Sequence, residues 1–258
     1  MTTAPRRGAL VLACVLALTL GVDAAPFRIF ALRFGAATTD RVTVANSTTM
    51  QDIMPMSLLV VATPTTITAN RAFYMKGSAA GNSRKYVRID ASNNIGVVVD
   101  QTSDTTYGSN SAPLRANVPN YVAVTIDITA TPEVRIYHGF PWSPLTEVTY
   151  GTTTDGTGGV STDSGTSAQL FNVFAVDNAF QGDGYVMQVV SGVLSVTDVR
   201  RWQQNPTLPV RGARGVWVLG ANGRGVVYDL TGNTNHGTIT GAVTTGGSIP
   251  VFSWRKAS

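Results

Sequence analysis

The feature that most constrains the fold is a succession of short apolar or alternating runs, from about residue 27 onward, separated by glycine, asparagine and proline. Runs such as Met56 to Ala62 and Tyr121 to Ile128 have the length and the β-branched content of strands. After residue 26, no stretch of 12 residues repeats its apolar positions with the 3.6-residue period of a helix. Many short strands between turn signals predict an all-β protein, either a sandwich or a barrel.

One segment departs from this pattern and predicts a short helix over residues 195–203. Ser195 and Asp198 have the spacing of a capping box, in which each side chain bonds the other residue's backbone N–H. The apolar residues of the segment recur at helical spacing and fall on one face: Val196, Val199 and Trp202. The segment is therefore expected to be the one short helix of the fold.

The polar segment at residues 151–168 is rich in glycine, threonine and serine, and it predicts a long loop. Strand patterning resumes on both sides, so this loop does not separate two domains. Only two glutamates and three lysines occur among the 258 residues, and the scarcity of these helix-favouring residues disfavours a helical protein. We therefore predict a single sandwich domain over residues 25–258.

Residues 1–24 form a separate, signal-like N-terminal segment. Arg6 and Arg7 precede an apolar run of 15 residues, Gly8 to Val22, and Ala24 supplies a small residue where a signal peptidase would cleave. The run is too short for a stable membrane span. Two interpretations stay open: a secretory signal that is removed, or a retained apolar arm that docks on a partner.

Several function classes are disfavoured by composition. Cys14 is the only cysteine, so neither an intramolecular disulfide nor a thiolate metal site can form. His138 and His236 are the only histidines, and they lie far apart in the chain. The net charge of +4 is not arranged as a basic stripe between aromatic residues, so nucleic acid is not an expected partner. No organic cofactor is predicted.

Four segments of the chain carry a distinctive series of motifs: Phe34 to Val44, Phe73 to Gly77, Tyr121 to Asp127, and Phe180 to Gly184 followed by Val193 to Val199. They contain a turn leading into a strand of the form D-x-V-x-V, a strand ending in Lys-Gly, a central V-A-V-T strand and a closing element with Leu-Ser. In this order the motifs resemble concanavalin A-like, laminin-G-like domains. The resemblance covers roughly residues 27–243, and it implies an all-β, two-sheet antiparallel jelly-roll sandwich.

The strongest match stands in an unusual place. Gly215 to Gly220 and Tyr228 to Thr238 resemble a segment that begins most domains of this family, yet here they lie near the end. The sequence therefore looks like a circular permutant, similar to members from tailed phages and environmental bacteria. The resemblance predicts that Val216 to Ile239 pairs beside Phe27 to Val44, because the termini of such sandwiches lie close together.

Enzymatic activity is not expected. Laminarinases share this sandwich and place two or more carboxylates on one strand as E-x-D-x-E, whereas Asp127 and Glu133 are six residues apart in a hairpin. Asp163 to Thr166 spells the aspartic-protease tetrapeptide, but its loop-like surroundings favour chance. A glycoside hydrolase remains only as a remote alternative.

Binding residues can be proposed from residue types. Aromatic rings on loops stack on sugar rings, and the candidates are Tyr107, Phe140, Trp142 and Tyr150. Phe140 and Trp142 directly follow a strand, so packing in the core or at an edge is an equally open role.

Calcium is the one ion that the side chains suit, since related domains often hold it with loop oxygens. The candidate ligands are Asp40, Asp183 and Asp229; the alternative is that these carboxylates cap turns.

These observations favour a non-enzymatic surface module. The first hypothesis is a structural or decoration protein on a virion surface, whose partners are neighbouring subunits of an oligomer or particle. The alternative is a secreted, extracellular lectin-like protein whose partner is a surface glycan.

Overall fold

The computed structural model describes residues 28–35, 39–67, 70–77, 84–90, 92–110, 113–172, 179–223, 225–241 and 243–250. The predicted N-terminal segment, residues 1–24, and the predicted domain start at residue 25 lie outside these residues. The described elements, in chain order, are β1 (Arg28–Phe34), β2 (Arg41–Val44), β3 (Met56–Pro64), β4 (Arg71–Lys76), β5 (Lys85–Ile89), β6 (Ile95–Val99), β7 (Thr105–Ser109), β8 (Asn120–Ile126), β9 (Val134–Gly139), β10 (Thr146–Glu147), β11 (Tyr150–Thr154), β12 (Ala168–Leu170), β13 (Gly182–Ser191), α1 (Val196–Gln204), β14 (Ala213–Gly223), β15 (Val226–Asp229), β16 (Gly237–Thr240) and β17 (Val243–Pro250).

Two antiparallel sheets form the body of the protein. In the first sheet β13 lies beside β3, followed by β8, β9 and β10, while β1 and β14 share the other side of β13. The second sheet runs β15, β16, β2, β12, β4, β5, β6, β7 and β11. The β14–β15 hairpin connects the sheets at one edge. The predicted all-β jelly-roll sandwich is confirmed.

The main apolar core lies between the two sheets, and a second core lies on the outer face of the first sheet. Along β3, Leu58 and Val60 belong to the main core, whereas Leu59 and Val61 belong to the second. Helix α1 covers this outer face with Val199 and Trp202. Because β3 is covered on both faces, its sequence is continuously apolar rather than alternating.

The two ends of the described chain pair with each other. Strand β16 pairs with β2, with Ile239 opposite Val42, and β17 pairs with β1 from Arg28 to Arg33. The predicted pairing of the tail with the beginning is therefore confirmed for the described residues. The circular permutation itself stays a prediction.

Helix α1 has the predicted capping box. The Ser195 hydroxyl accepts the Asp198 N–H, and the Asp198 carboxylate accepts the Ser195 N–H. The buried residues are Val199, Trp202 and Gln203, whereas Val196 is 37% exposed. The prediction that Val196, the first residue of the helix, lies on the buried face is thus wrong. Gln203 is buried in its place, because its amide bonds a neighbouring loop. Within the described residues, no helix has the length and apolar character needed to cross a membrane.

The predicted loop at residues 151–168 is wrong at its beginning and end. Tyr150–Thr154 forms β11, which pairs with β7, and Ala168 begins β12. Threonine is β-branched and favours strands, but β11 is largely exposed, so it carries no apolar alternation. The loop proper is confined to residues 155–167.

Candidate functional site

The four predicted aromatic residues form two separate pairs. Tyr107 and Tyr150 meet edge to face, with centroids 5.7 Å apart. Tyr107 lies on β7, is only 3% exposed and donates its hydroxyl to Asp155. The Tyr150 hydroxyl accepts the Ile136 N–H and donates to Glu147, each at 2.9 Å. Both hydroxyls are therefore bonded to other groups of the protein. The role of these two tyrosines in ligand binding stays a prediction.

The second pair follows β9 in a tight turn. The Ser143 N–H donates to the Phe140 carbonyl at 3.1 Å, and the Phe140 N–H donates to the Ser143 hydroxyl at 3.0 Å. Pro141 occupies the second position of this turn, where its restricted φ is favourable. The turn therefore directs Trp142 outward, where it is 56% exposed.

Phe140, Trp142 and Arg115 form a surface that we call the aromatic platform. The two rings are stacked, with centroids 5.4 Å apart and planes inclined by 12°. The Arg115 guanidinium lies 4.7 Å from the centroid of Phe140, within the range of a cation–π contact. Since Phe140 covers one face of the indole, the exposed area of Trp142 consists of its other face and its edges.

Helix α1 fixes the loop that carries the platform. Gln203 Nε2 donates to the carbonyls of Phe140 and Ser143 at 2.9 and 2.7 Å, and Gln203 Oε1 accepts the Leu145 N–H at 3.0 Å. Arg200 Nε donates to the Leu145 carbonyl at 2.9 Å. These contacts hold the loop in one conformation without a ligand, which lowers the entropic cost of binding.

His138 lies beneath the platform and is 7% exposed. Its ring meets Phe140 edge to face at 4.8 Å, and its Nε2 lies 3.0 Å from Asn120 Oδ1. Because Asn120 Oδ1 also accepts the Arg115 N–H, Nε2 must carry the proton of the bond to His138. Burial and then the charge of Arg115 lower the pKa of His138 to about 4, so the ring is neutral at physiological pH.

A groove of about 690 Å³ lies on the opposite side of α1. Asp198, Arg201, Trp202 and Asn205 line it, whereas Arg200 and Gln203, which bond the platform loop, lie about half a turn away on the helix. Arg211 joins Arg201 in the groove, so two arginines that lie ten positions apart in the sequence contribute to one surface.

The three predicted calcium ligands are each engaged elsewhere. Both oxygens of Asp183 bond Arg33, at 2.7 and 2.8 Å. Asp40 accepts the Gly35 N–H, and Asp229 accepts the N–H groups of Val216, Thr231 and Asn235. In the part of the chain that the structure describes, no three His, Cys, Asp or Glu residues are grouped to hold a metal ion. Calcium binding by these aspartates stays a prediction, and Asp40 and Asp229 have the contacts of turn-capping carboxylates.

The two carboxylates considered for glycoside hydrolysis have structural partners. Asp127 accepts the N–H and hydroxyl of Thr129, and these bonds lower its pKa, whereas a general acid needs a raised one. Glu133 is buried, where it accepts the Thr105 hydroxyl and, at 3.0 Å, Gln101 Nε2.

Sequence reasoning missed a buried ionic cluster, which consists of Lys76, Lys85 and Asp163, with the exposed Asp52 bonded to Asp163 at its edge. Asp163, interpreted above as part of a chance tetrapeptide, is fully buried between the two lysines, which are 1% and 2% exposed. The sequence does contain an indication of this cluster, because two of its only three lysines stand at the ends of apolar strands. Lys76 is the last residue of β4, and Lys85 is the first residue of β5.

The described elements define an antiparallel β-sandwich of the jelly-roll type. No protein-family model and no curated protein matches the chain. Among solved structures it is similar to a proposed carbohydrate-binding protein from Bacteroides ovatus ATCC 8483, with a TM-score of 0.60 and 17% identity over 89% of this chain. The chain spans 64% of the length of that structure.

Two further structures are similar over much of the chain. A native heptameric SAP-like pentraxin from Limulus polyphemus has a TM-score of 0.53 at 10% identity, covering 90% of this chain and 98% of the pentraxin. Tailspike protein 2 of Escherichia coli O157:H7 bacteriophage CAB120 has a TM-score of 0.48 at 15% identity, covering 79% and 31%. At these identities the similarities show the fold alone, and that of the tailspike is too low to carry an argument.

Proposed function

We propose that this protein is a non-enzymatic, extracellular carbohydrate-binding module, and that the aromatic platform holds one pyranose ring of a glycan. The observation that carries the proposal is the exposed indole of Trp142, stacked flat on Phe140 in a loop that α1 fixes. A large exposed ring costs solvation free energy, and contact with a ligand recovers it.

The geometry of the platform suits a sugar. A pyranose ring has a face of C–H groups that packs on an aromatic ring, and hydroxyls around its edge that need hydrogen-bond partners. Arg115 places a guanidinium with five N–H donors beside the rings. The Bacteroides protein of the same fold is itself a proposed carbohydrate-binding protein, which agrees with this assignment.

The predicted virion role and the predicted assembly into an oligomer have less support. The virion role was inferred from a resemblance, and no contact in the described residues bears on it, so it stays a prediction. Assembly into an oligomer also stays a prediction, with the heptameric pentraxin as a relative in fold that assembles.

The test is a glycan array probed with the full chain, with calcium and with a chelator, followed by titration of the best ligand. We expect Trp142→Ala to weaken binding roughly 5- to 30-fold, because a stacked ring contributes about 1–2 kcal/mol. Tyr228→Ala is the matched control, since Tyr228 is a similarly exposed aromatic, 50% against 56%, but lies on strand β15 and not in the platform loop; this variant should bind like the wild type.

The other outcomes overturn parts of the proposal. Absence of binding to every glycan removes the function. Binding that survives Trp142→Ala but is lost in Arg211→Ala moves the site to the groove beside α1. Release of sugars from β-glucans that disappears in Asp127→Ala would make the protein a hydrolase.

A further inference from the structure

Within the buried ionic cluster, the amine of Lys85 lies directly against one oxygen of the Asp163 carboxylate. Lys85 Nζ lies 2.5 Å from Asp163 Oδ2, and both side chains are at least 97% buried. With a carbon–oxygen bond of about 1.25 Å, Nζ is within about 3.8 Å of Asp163 Cγ. This is close to the separation of reacting atoms in a near-attack geometry.

The two lysines of the cluster are not equivalent. Lys76 and Lys85 stand directly opposite each other on β4 and β5. Lys76 Nζ is held by the Thr166 carbonyl at 2.8 Å and by Asn46 Oδ1 at 3.1 Å, and it lies 3.4 Å from Asp163 Oδ1. Lys85 Nζ instead directs its hydrogen bond to Asp163 Oδ2. Lys85 is therefore the better placed nucleophile, and Lys76 faces the other oxygen.

Asp163 Oδ1 lies in a site that stabilises negative charge. It accepts the Asp52 N–H at 2.9 Å, and the Lys76 ammonium is its second neighbour. Backbone N–H groups and fixed cations of this kind stabilise the oxyanion of an acyl-transfer intermediate. Beside the pair, a cavity of about 250 Å³ is lined by Lys85, Asp52, Met54 and residues 160–162, which leaves room for a small leaving molecule.

We propose that Lys85 and Asp163 condense to an intramolecular isopeptide bond. A proton passes from the Lys85 ammonium to Asp163 Oδ2, and Nζ then attacks Cγ while Oδ1 takes up the negative charge. The Cγ–Oδ2 bond breaks, and Oδ2 leaves as water with the first proton and a second one from Nζ. Ammonium and carboxylate thus become amide and water, and no oxidant or co-reactant is needed.

Burial favours this product. Two charges inside the fold are costly to desolvate, and a neutral amide removes that cost for one pair. Groups held in such a geometry react with effective concentrations of about 10⁵–10⁸ M, and exclusion of water protects the amide from hydrolysis. The bond would join residues 78 positions apart and fasten the loop at residues 155–167 to β5.

The test is mass spectrometry of the denatured full chain and of its tryptic digest. We expect a mass lower by one water, about 18 Da. The digest should contain residues 85–88 joined to residues 136–200, because no lysine or arginine lies between Arg135 and Arg200 and trypsin does not cleave after an acylated lysine. Lys85→Arg should have the full mass, since guanidinium is not a nucleophile. The control Arg84→Lys, which changes the neighbouring basic residue that pairs with Asp100, should still lose water.

Two results would overturn the proposal. Recovery of residues 86–88 and 136–200 as separate, unmodified peptides shows that no bond forms. Loss of water on residues 136–200 without residues 85–88 attached shows a succinimide, for which the two Asp-Gly pairs, Asp155-Gly156 and Asp183-Gly184, are the natural positions. Both readouts use wild-type protein, so they hold even if a variant fails to fold.

Discussion

The aromatic platform and the buried ionic cluster both depend on a loop packed against the sandwich, but the loops use their side chains in opposite ways. At the platform, Trp142 is more than half exposed, and its loop is held by the buried amide of Gln203. At the cluster, Asp163 is wholly buried and is itself the group that holds the loop. One loop is fixed so that it can present a ring, whereas the other is fixed by the residue at its centre.

This difference separates two properties of the protein. Substitutions at the exposed surface of the platform should change ligand binding with little effect on folding, and substitutions at the ionic cluster should do the reverse. The following predictions test that separation, beginning with the largest effect.

Asp163→Ala should destabilise the fold by at least 3–5 kcal/mol, roughly the cost of leaving a buried charge without its partner. This variant can form neither the ion pairs nor the proposed amide, so Lys76 and Lys85 would both remain as buried ammonium groups without the Asp163 side chain. The measurement is the free energy of unfolding in urea at pH 7. Glycan binding by the folded fraction should be unchanged.

The matched control is Glu147→Ala. Glu147 also pairs with a cation, Arg135, at 3.0 Å, but both side chains are well exposed, so the loss should be below about 1 kcal/mol. Equal losses in the two variants would mean that burial does not distinguish the cluster from a surface pair.

His138 tests the separation between the exposed platform and the buried cluster, because it is a buried group that contacts the platform. Its pKa is about 4 in the folded state against 6.5 unperturbed, so between these pH values the unfolded chain binds more protons. Stability is complete above about pH 6.5 and should fall by about 3 kcal/mol as the pH decreases to 4. Urea unfolding at pH 7 and at pH 4 measures the change.

His138→Gln should flatten this part of the profile, since a neutral amide retains a donor for Asn120. The aspartates with lowered pKa, such as Asp127 and Asp198, titrate below 3.8, and their contribution is lost at still lower pH. A wild-type profile that is flat from pH 6.5 to 4 would show that protonated His138 is accommodated.

The parts of the molecule that sequence predicts well depend on near neighbours. The strands follow from local alternation, and the cap of α1 follows from Ser195 and Asp198, three residues apart. The pairing of β16 with β2 was reached through a family resemblance, because no local rule joins residues some 200 positions apart.

The local sequence of the two loops does not reveal their character, for the same reason. Asp163 is buried against Lys85, which lies 78 positions earlier in the chain. Neither the tetrapeptide around Asp163 nor its polar neighbours in the sequence indicate this contact. Tyr107 is predicted to lie on a loop, but it lies on strand β7 and its side chain is buried. For Trp142, sequence left exposure and packing equally open, and the turn at Phe140 together with Gln203 from α1 decides between them.

The smallest expected effect is that of Trp142→Ala on stability, below about 1 kcal/mol, because the substitution removes mostly exposed surface and one ring contact. Far-UV circular dichroism in urea measures it without relying on tryptophan fluorescence. Phe140→Ala should cost more, since Phe140 also contacts His138 and Arg115. If Trp142→Ala proved the more costly of the two, the indole would be a packing residue, and the platform would resemble the ionic cluster instead of contrasting with it.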